Sequence, residues 1–431
     1  MRILFILPMD NTYKYKGFFK RSLSYAPLTL TTLASLVPEY LNAQIDLVDE
    51  GIESPDYKNK FYDIVGITSV TSSANRAYQL AEYWRNRGAY VIIGGHHATL
   101  MSDEVSKYAD TVFCGVAENT FPIFMNDFVS GVQKKIYKDS DYLKESSFYN
   151  LPVPKRGLLK KKCYMSIPTV IATRGCSNGC NFCSINEFYK DRPLYRDIDS
   201  VIEEIKSLKS KNILFLDPNI TYNREYSKKL FEKLIPLKIN WGGLATTDIC
   251  KDRETFDLMV KSGCRGILFG FESLNQANLN NSNKSFNKII EYKESVDTFH
   301  KNNIAVLGCF VLGFDCDTKE SLAKLVNDID DLKIEFPRFA VLTPFPGTDE
   351  YKRLDSEKRI ISHNRSDYDT EHVVFRPKNM TPNELHNILV KTWRESYNLD
   401  RIIKRIPYFN KNLLLGLGIS AGMRFYSRSF K

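Results

Sequence analysis

No run of about 18 apolar residues occurs in the 431-residue chain, which excludes an ordinary membrane-spanning helix. Long Gly-, Ser- or Pro-rich stretches and repeats are also missing, so disorder is not expected, and 43% hydrophobic residues supply a sizeable core. The opening MRILFILPMD reaches Asp10 before an apolar leader could form, and no cleavage pattern follows. The chain is therefore expected in the cytoplasm. Acidic residues are absent from 401–431, where Arg401, Lys404, Arg405, Lys411, Arg424, Arg428 and Lys431 carry seven of the net nine positive charges. The rest is near neutral, which argues against a nucleic-acid partner and for a specialised tail.

What is present alternates. Ile3–Leu7, Gln44–Val48, Ile64–Ile67, Tyr90–Ile93 and Thr111–Cys114 read as short strands between amphipathic helices, one of them over 27–40. That pattern predicts an N-terminal doubly wound parallel sheet over 1–135, with ligands outside the strands' carboxyl ends. A Lys-rich stretch, 136–164, reads as a surface connection. A second series follows in 165–350, with strands at Thr169–Ala172, Ile213–Leu216, Trp241–Ala245, Gly266–Gly270, Ala305–Leu312 and Phe339–Leu342. Helices fit near 197–210, 223–235, 252–262, 284–302 and 318–334. Six βα units suit an open, partial barrel rather than a closed eightfold one. Residues 351–431 read as mostly helical.

The nine cysteines are odd in number, and in a reducing compartment no disulfide framework is expected, so clustered cysteines should be metal ligands and scattered ones core filler. Three of them crowd into Thr173-Arg-Gly-Cys176-Ser-Asn-Gly-Cys180-Asn-Phe-Cys183, a loop at a strand's carboxyl end. Soft thiolates select zinc or iron–sulfur. A structural zinc wants a fourth ligand, and no Cys or His pair follows at finger spacing. Three ligands suggest a cubane with one iron left open.

CxxxCxxC after the first strand of a partial barrel, with Phe182 before the last cysteine, resembles the radical S-adenosylmethionine enzymes. The resemblance implies that Cys176, Cys180 and Cys183 hold a [4Fe–4S] cluster whose open iron chelates S-adenosylmethionine. Reductive cleavage would then give a 5′-deoxyadenosyl radical, with flavodoxin or ferredoxin as electron donor. It also implies cofactor contacts at Phe182, Asp217 (FLDPNI), Glu272 and Ser273 (GILFGFESLN), Gly308 and Gly313 (GCFVLGFDCDT), and Thr343 and Pro344 (LTPFPGTDEY).

A doubly wound domain ahead of such a barrel resembles the cobalamin-dependent branch. The matching stretches are YAPLTLTTLASLVP, TSVTSS, GGHHAT and CGVAENTF. They imply cobalamin contacts at Pro27, Leu28, Thr68, Ser69, Thr71, Ser72, Gly94, Gly95, His96 and Glu118. The DxHxxG signature is absent from 1–130, so a cobalt without a protein histidine on its lower face is expected.

The reading that follows is a cobalamin-dependent methylase of an unactivated carbon. A second keeps both cofactors but ends in ring closure, coupling or oxidation. A third, from another class, is a cobalamin- or nucleotide-binding regulatory protein with a structural metal site. In the tail, Leu413–Met423 is apolar, too short to span, and bracketed by basic and aromatic residues. It suits either peripheral membrane contact with a lipid or apolar substrate, or packing on the barrel. His363, Asp367, Tyr368 and His372, in SHNRSDYDTEHVVF, are expected to seal the barrel rather than touch substrate.

Overall fold

A computed structural model describes residues 1–10, 24–142, 146–149, 151–160, 163–190, 192–405 and 413–429. The first sheet is wholly parallel, with β1 Arg2–Leu7, β2 Gln44–Asp49, β3 Ile64–Thr68, β4 Tyr90–Gly94, β5 Thr111–Cys114 and β6 Ile136–Lys138 in the order β2-β1-β3-β4-β5-β6. Apolar residues fill these strands because helices cover both faces: Leu4, Ile6, Val65 and Ile67 serve one core, Ile3, Phe5 and Ile64 the other. The sixth strand falls in the stretch read as a connection. Three residues, Ile-Tyr-Lys, are too few to register as a pattern. That connection is not a plain surface segment either, since Leu151, Leu159 and Tyr164 are buried.

The second sheet holds β7 Thr169–Val170, β10 Asn212–Phe215, β11 Asn240–Ala245, β12 Cys264–Glu272, β13 Ala305–Leu312 and β14 Phe336–Val341, all parallel and in sequence order. Between β7 and β10, β8 Thr173–Arg174 pairs antiparallel with β9 Leu194–Tyr195. Alternate residues of β12 and β13 are buried in the sheet–helix layer, and the others line the lumen. The stretch read as a helix from 284 starts its helix only at Tyr292. Asn283 has φ 56°, and the turn after it is held by Asn287 Nδ2 donating to the Gly270 carbonyl at 2.9 Å.

In the C-terminal region Pro382–Ser396 packs Leu385, Leu389 and Trp393 into the barrel core. The last helix, Leu413–Ser427, buries Met423 and Tyr426 there and leaves Leu417 and Phe425 exposed. Lys411 and Lys431 of the basic tail lie outside the described residues. Among the described residues no helix is long and apolar enough to cross a membrane.

Candidate active site

Both sheets aim their carboxyl ends at one seam. In the first, strand order reverses between β1 and β3, the point where such sheets take ligands. A cavity of about 350 Å³ opens there, with Leu7, Thr68, Ser69 and Gly95 on one side and Arg174 and Phe188 on the other. Gly95 has φ 100° and ψ −172°, a conformation nearly exclusive to glycine. A Cβ at Gly95 would meet the Ser69 carbonyl oxygen at 2.7 Å. Ser69 Oγ and Glu118 Oε2 are buried with no hydrogen-bond partner among the described residues. The cavity is thus a glycine-lined cradle with polar atoms still to be satisfied, as a flat ligand with amide arms requires.

Of the residues expected here, Thr68, Ser69, Gly94, Gly95, His96 and Glu118 line the cavity. Pro27 and Leu28 do not; the helix Leu28–Leu36 presents Thr29, Thr32, Leu33 and Leu36 from its cavity-facing side. Thr71 and Ser72 turn away into a 3₁₀ turn, where Ser72 Oγ donates to Asp10 at 2.9 Å. His96 stacks on Phe188 with ring centroids 4.4 Å apart. Burial, and then the Arg174 charge, push its pKa down to about 4, so the ring is neutral. His97 is structural: it is fully buried, with Nε2 2.9 Å from the Tyr78 hydroxyl.

Arg174 was not foreseen. Its Nη1 donates to Glu118 Oε1 at 2.5 Å, joining the two domains directly before the cysteine loop. The partners lie 56 residues apart, and no local signal pairs them.

The cysteine loop leaves β8 and returns to β9, with Gly175 and Gly179 at φ 81° and 68°. Asn283 Nδ2 braces it by donating to the Gly179 carbonyl at 2.6 Å. Phe182 meets Phe314 edge-on at 5.8 Å. Burial pushes the Cys180 thiol up to about 12; Lys284 opposes that rise, while Cys183, Glu272 and Cys176 add to it. Among the described residues no three His, Cys, Asp or Glu side chains are drawn together tightly enough for a single ion. Three thiols on one loop match the cysteine ligation of an iron–sulfur cluster.

Asp217 is fully buried and accepts backbone N–H groups from Ala172, at 3.2 Å, and from Thr173. Burial raises its pKa to about 6, against the pull of those bonds. It ties β10 to the root of the cysteine loop. Glu272 ends β12 at φ 62°, beside a register shift, and accepts from Lys284 Nζ at 2.8 Å. Burial works against the Lys284 charge, but Glu272 and then the Cys180 thiol outweigh it and hold its pKa above the ordinary lysine value. Lys284 was also missed in the sequence. Ser273 Oγ accepts from the Asn275 backbone at 3.1 Å, a local turn.

Two expected cofactor glycines serve packing. A Cβ on Gly308 would meet Ile334 at 2.9 Å, so this position faces the sheet–helix layer and Cys309, next to it, faces the lumen. Gly313, at φ 103°, abuts Leu385 of the C-terminal helix. Thr343 Oγ1 donates to the Val341 carbonyl at 3.0 Å, and Pro344 is buried beside it.

Residues 170–329 match the family model of the radical S-adenosylmethionine superfamily. Bacteriochlorophyllide d C-12(1)-methyltransferase of Chlorobaculum tepidum is 33% identical over 391 residues, covering 88% of this chain and 84% of that protein. The chain belongs to the cobalamin-dependent radical S-adenosylmethionine family. Another member, bacteriochlorophyllide d C-8(2)-methyltransferase of the same organism, is 28% identical across 94% of this chain and 91% of its own length. The fold is that of the radical S-adenosylmethionine methyltransferase TsrM of Kitasatospora setae, solved with cobalamin and a [4Fe–4S] cluster (TM-score 0.65, 15% identity, 83% of this chain and 78% of that one). Membership in this enzyme family displaces the reading as a regulatory protein with a structural metal.

Proposed function

We propose that this chain methylates an unactivated carbon on a chlorin-type tetrapyrrole, in the cavity between its two domains. The observation that carries the proposal is the opposition of the glycine cradle, with its unsatisfied Ser69 and Glu118, to the cysteine loop reached through Arg174. The substrate class rests on the names of the two relatives with near full-length matches. The proposed division of labour is cobalamin on 1–135, a connection over 136–164, the cluster barrel on 165–350 and a helical region over 351–431.

When bound, the [4Fe–4S] cluster, S-adenosylmethionine and cobalamin supply the radical that takes the substrate hydrogen and the methyl group that replaces it. The chain's own part is position and dryness. Cys176, Cys180 and Cys183 hold three irons. Asp217 and Asn283 fix the shape of their loop, and Lys284 with Glu272 sets a charge pair beside it. Thr68, Ser69 and Glu118 are proposed to bond the corrinoid's amide arms, and Gly94 and Gly95 to admit its face. Arg174–Glu118 and His96–Phe188 keep the two cofactor platforms in register and exclude water between them.

Gly95→Ala tests the cradle separately from the cluster. With about 1–3 kcal/mol of strain at such a position, corrinoid retained on the purified protein is expected to fall roughly tenfold or more. Iron content is expected to stay unchanged; absorbance and iron analysis read the two. For the reaction itself, label from methyl-labelled S-adenosylmethionine is expected in the product. Deoxyadenosine formed without label in the product would transfer the chain to cyclisation, coupling or oxidation.

A small reduced flavodoxin or ferredoxin is the proposed electron donor, in the cytoplasm. The exposed Leu417 and Phe425, with Arg424 and Arg428 and no acidic residue after Asp400, support reversible contact with an anionic membrane surface. Full-length protein is expected to sediment with anionic liposomes and the 1–404 truncation to stay in solution. Equal, negligible binding would end that idea.

A further inference from the structure

One histidine is built like a metal ligand and has no metal-binding duty in the scheme above. His372 donates Nδ1–H to Asp369 Oδ2 at 2.8 Å. The Asp369 side chain is 1% exposed and also accepts the backbone N–H groups of Glu371 and His372, at 3.0 and 2.9 Å. The imidazole is therefore held in orientation, on a ring that is 56% exposed. The Asp369 hydrogen bond also raises its pKa above the ordinary histidine value, so Nε2 becomes an acceptor once the ring gives up its second proton. No described residue bonds that nitrogen. An imidazole anchored through one nitrogen by a buried carboxylate, with the other presented outward, is the arrangement that holds a metal-ligating histidine.

Its place in the fold is the reaction end of the barrel. Thr370 carbonyl accepts the Val341 N–H at 2.8 Å, which lays residues 369–372 across the carboxyl end of β14, beside Thr343. Immediately upstream, Asn364 Oδ1 accepts from Asn75 Nδ2 at 2.7 Å, and Arg365 Nη2 donates to Glu104 at 2.7 Å. The segment thus runs from its contacts with Asn75 and Glu104 to the carboxyl end of β14, two residues before His372. On the far side, the Tyr426 hydroxyl donates to Glu371 at 2.6 Å and ties the last helix to the same spot.

We infer that His372 Nε2 is the axial ligand to the central Mg²⁺ of a chlorin substrate, with Asp369 as its positioning residue. This rests on the tetrapyrrole reading of the function and deepens it. A magnesium in a chlorin plane keeps an axial site that one neutral nitrogen fills, and a single such bond fixes the height of the macrocycle without gripping its periphery. The carbon to be methylated, on the rim, is then free to reach the cavity between the domains.

The test uses the full chain and two probes, a magnesium chlorin with a free propionate and its metal-free counterpart, titrated into wild-type, H372Q and D369N proteins. Wild type is expected to prefer the magnesium form, with the absorption and resonance Raman signature of five-coordinate magnesium. H372Q is expected to lose both the preference and the signature, and added imidazole to restore the signature. D369N is expected to weaken magnesium-chlorin binding by roughly 10- to 100-fold. Because the ring is on the surface, unchanged thermal unfolding of H372Q serves as the folding control. Chlorin binding with the same magnesium preference in wild type and H372Q overturns the ligand while leaving the substrate class standing. Absence of any chlorin binding overturns the substrate class and the ligand with it. A nitrogen splitting in the cob(II)alamin spectrum that vanishes in H372Q gives the imidazole to cobalt, and overturns the assignment as well.

Discussion

With serine in place of any one of Cys176, Cys180 or Cys183, iron bound after anaerobic reconstitution is expected to fall well below about four per chain. Reductive cleavage of S-adenosylmethionine is expected to drop to background in the same proteins. A serine oxygen is a harder and poorer donor to iron–sulfur than a thiolate. Cys114 belongs to the core beneath the first sheet, while Cys309, on the lumen face of β13, and Cys316, which accepts from Asn281 Nδ2 at 3.6 Å, stand outside the loop. Full iron and undiminished cleavage in all three single variants would remove the open coordination position, and with it the radical chemistry.

The second large effect is on stability. Glu204, 1% exposed, accepts Arg156 Nη2 at 2.5 Å and Arg196 Nη1 at 2.6 Å, and the Arg196 side chain is itself 1% exposed. Glu204→Ala strands those cations, so a loss of about 3–5 kcal/mol in denaturant unfolding is expected. The same arginines also donate to the Thr169 and Ile171 carbonyls, at 2.7 and 2.9 Å, on either flank of Val170. β7 leads into the cysteine loop, so iron occupancy is expected to fall alongside stability. A change below about 1 kcal/mol, in the range of a surface pair, would show that the cluster of charges is not what holds β7.

Much of this architecture was legible because parallel strands buried on both faces are apolar throughout. Ala305–Leu312 was read with its bounds correct, and the cysteine triplet does follow a strand, on the loop between β8 and β9. What escaped has three physical sources. Face assignment was one: Gly308 looked like a cofactor contact, but strand alternation turns it into the helix layer and Cys309 into the lumen. Helix phase was another, since Pro27 and Leu28 were chosen where Thr29 and Thr32 reach the cavity. Pairing at a distance was the third. Arg174 finds Glu118 in the other domain, and Lys284 finds Glu272 only because an asparagine-held turn replaces the expected helix start. A periodicity argument sees neither.

The hydrogen bonds from Asn75 to Asn364 and from Arg365 to Glu104 also bear on the order of events at the ribosome. At about 5–20 residues per second, the first sheet is complete roughly ten seconds or more before those late partners emerge. The sheet therefore stands alone first, and its bonds to the 364–365 segment form only after the barrel has been synthesised.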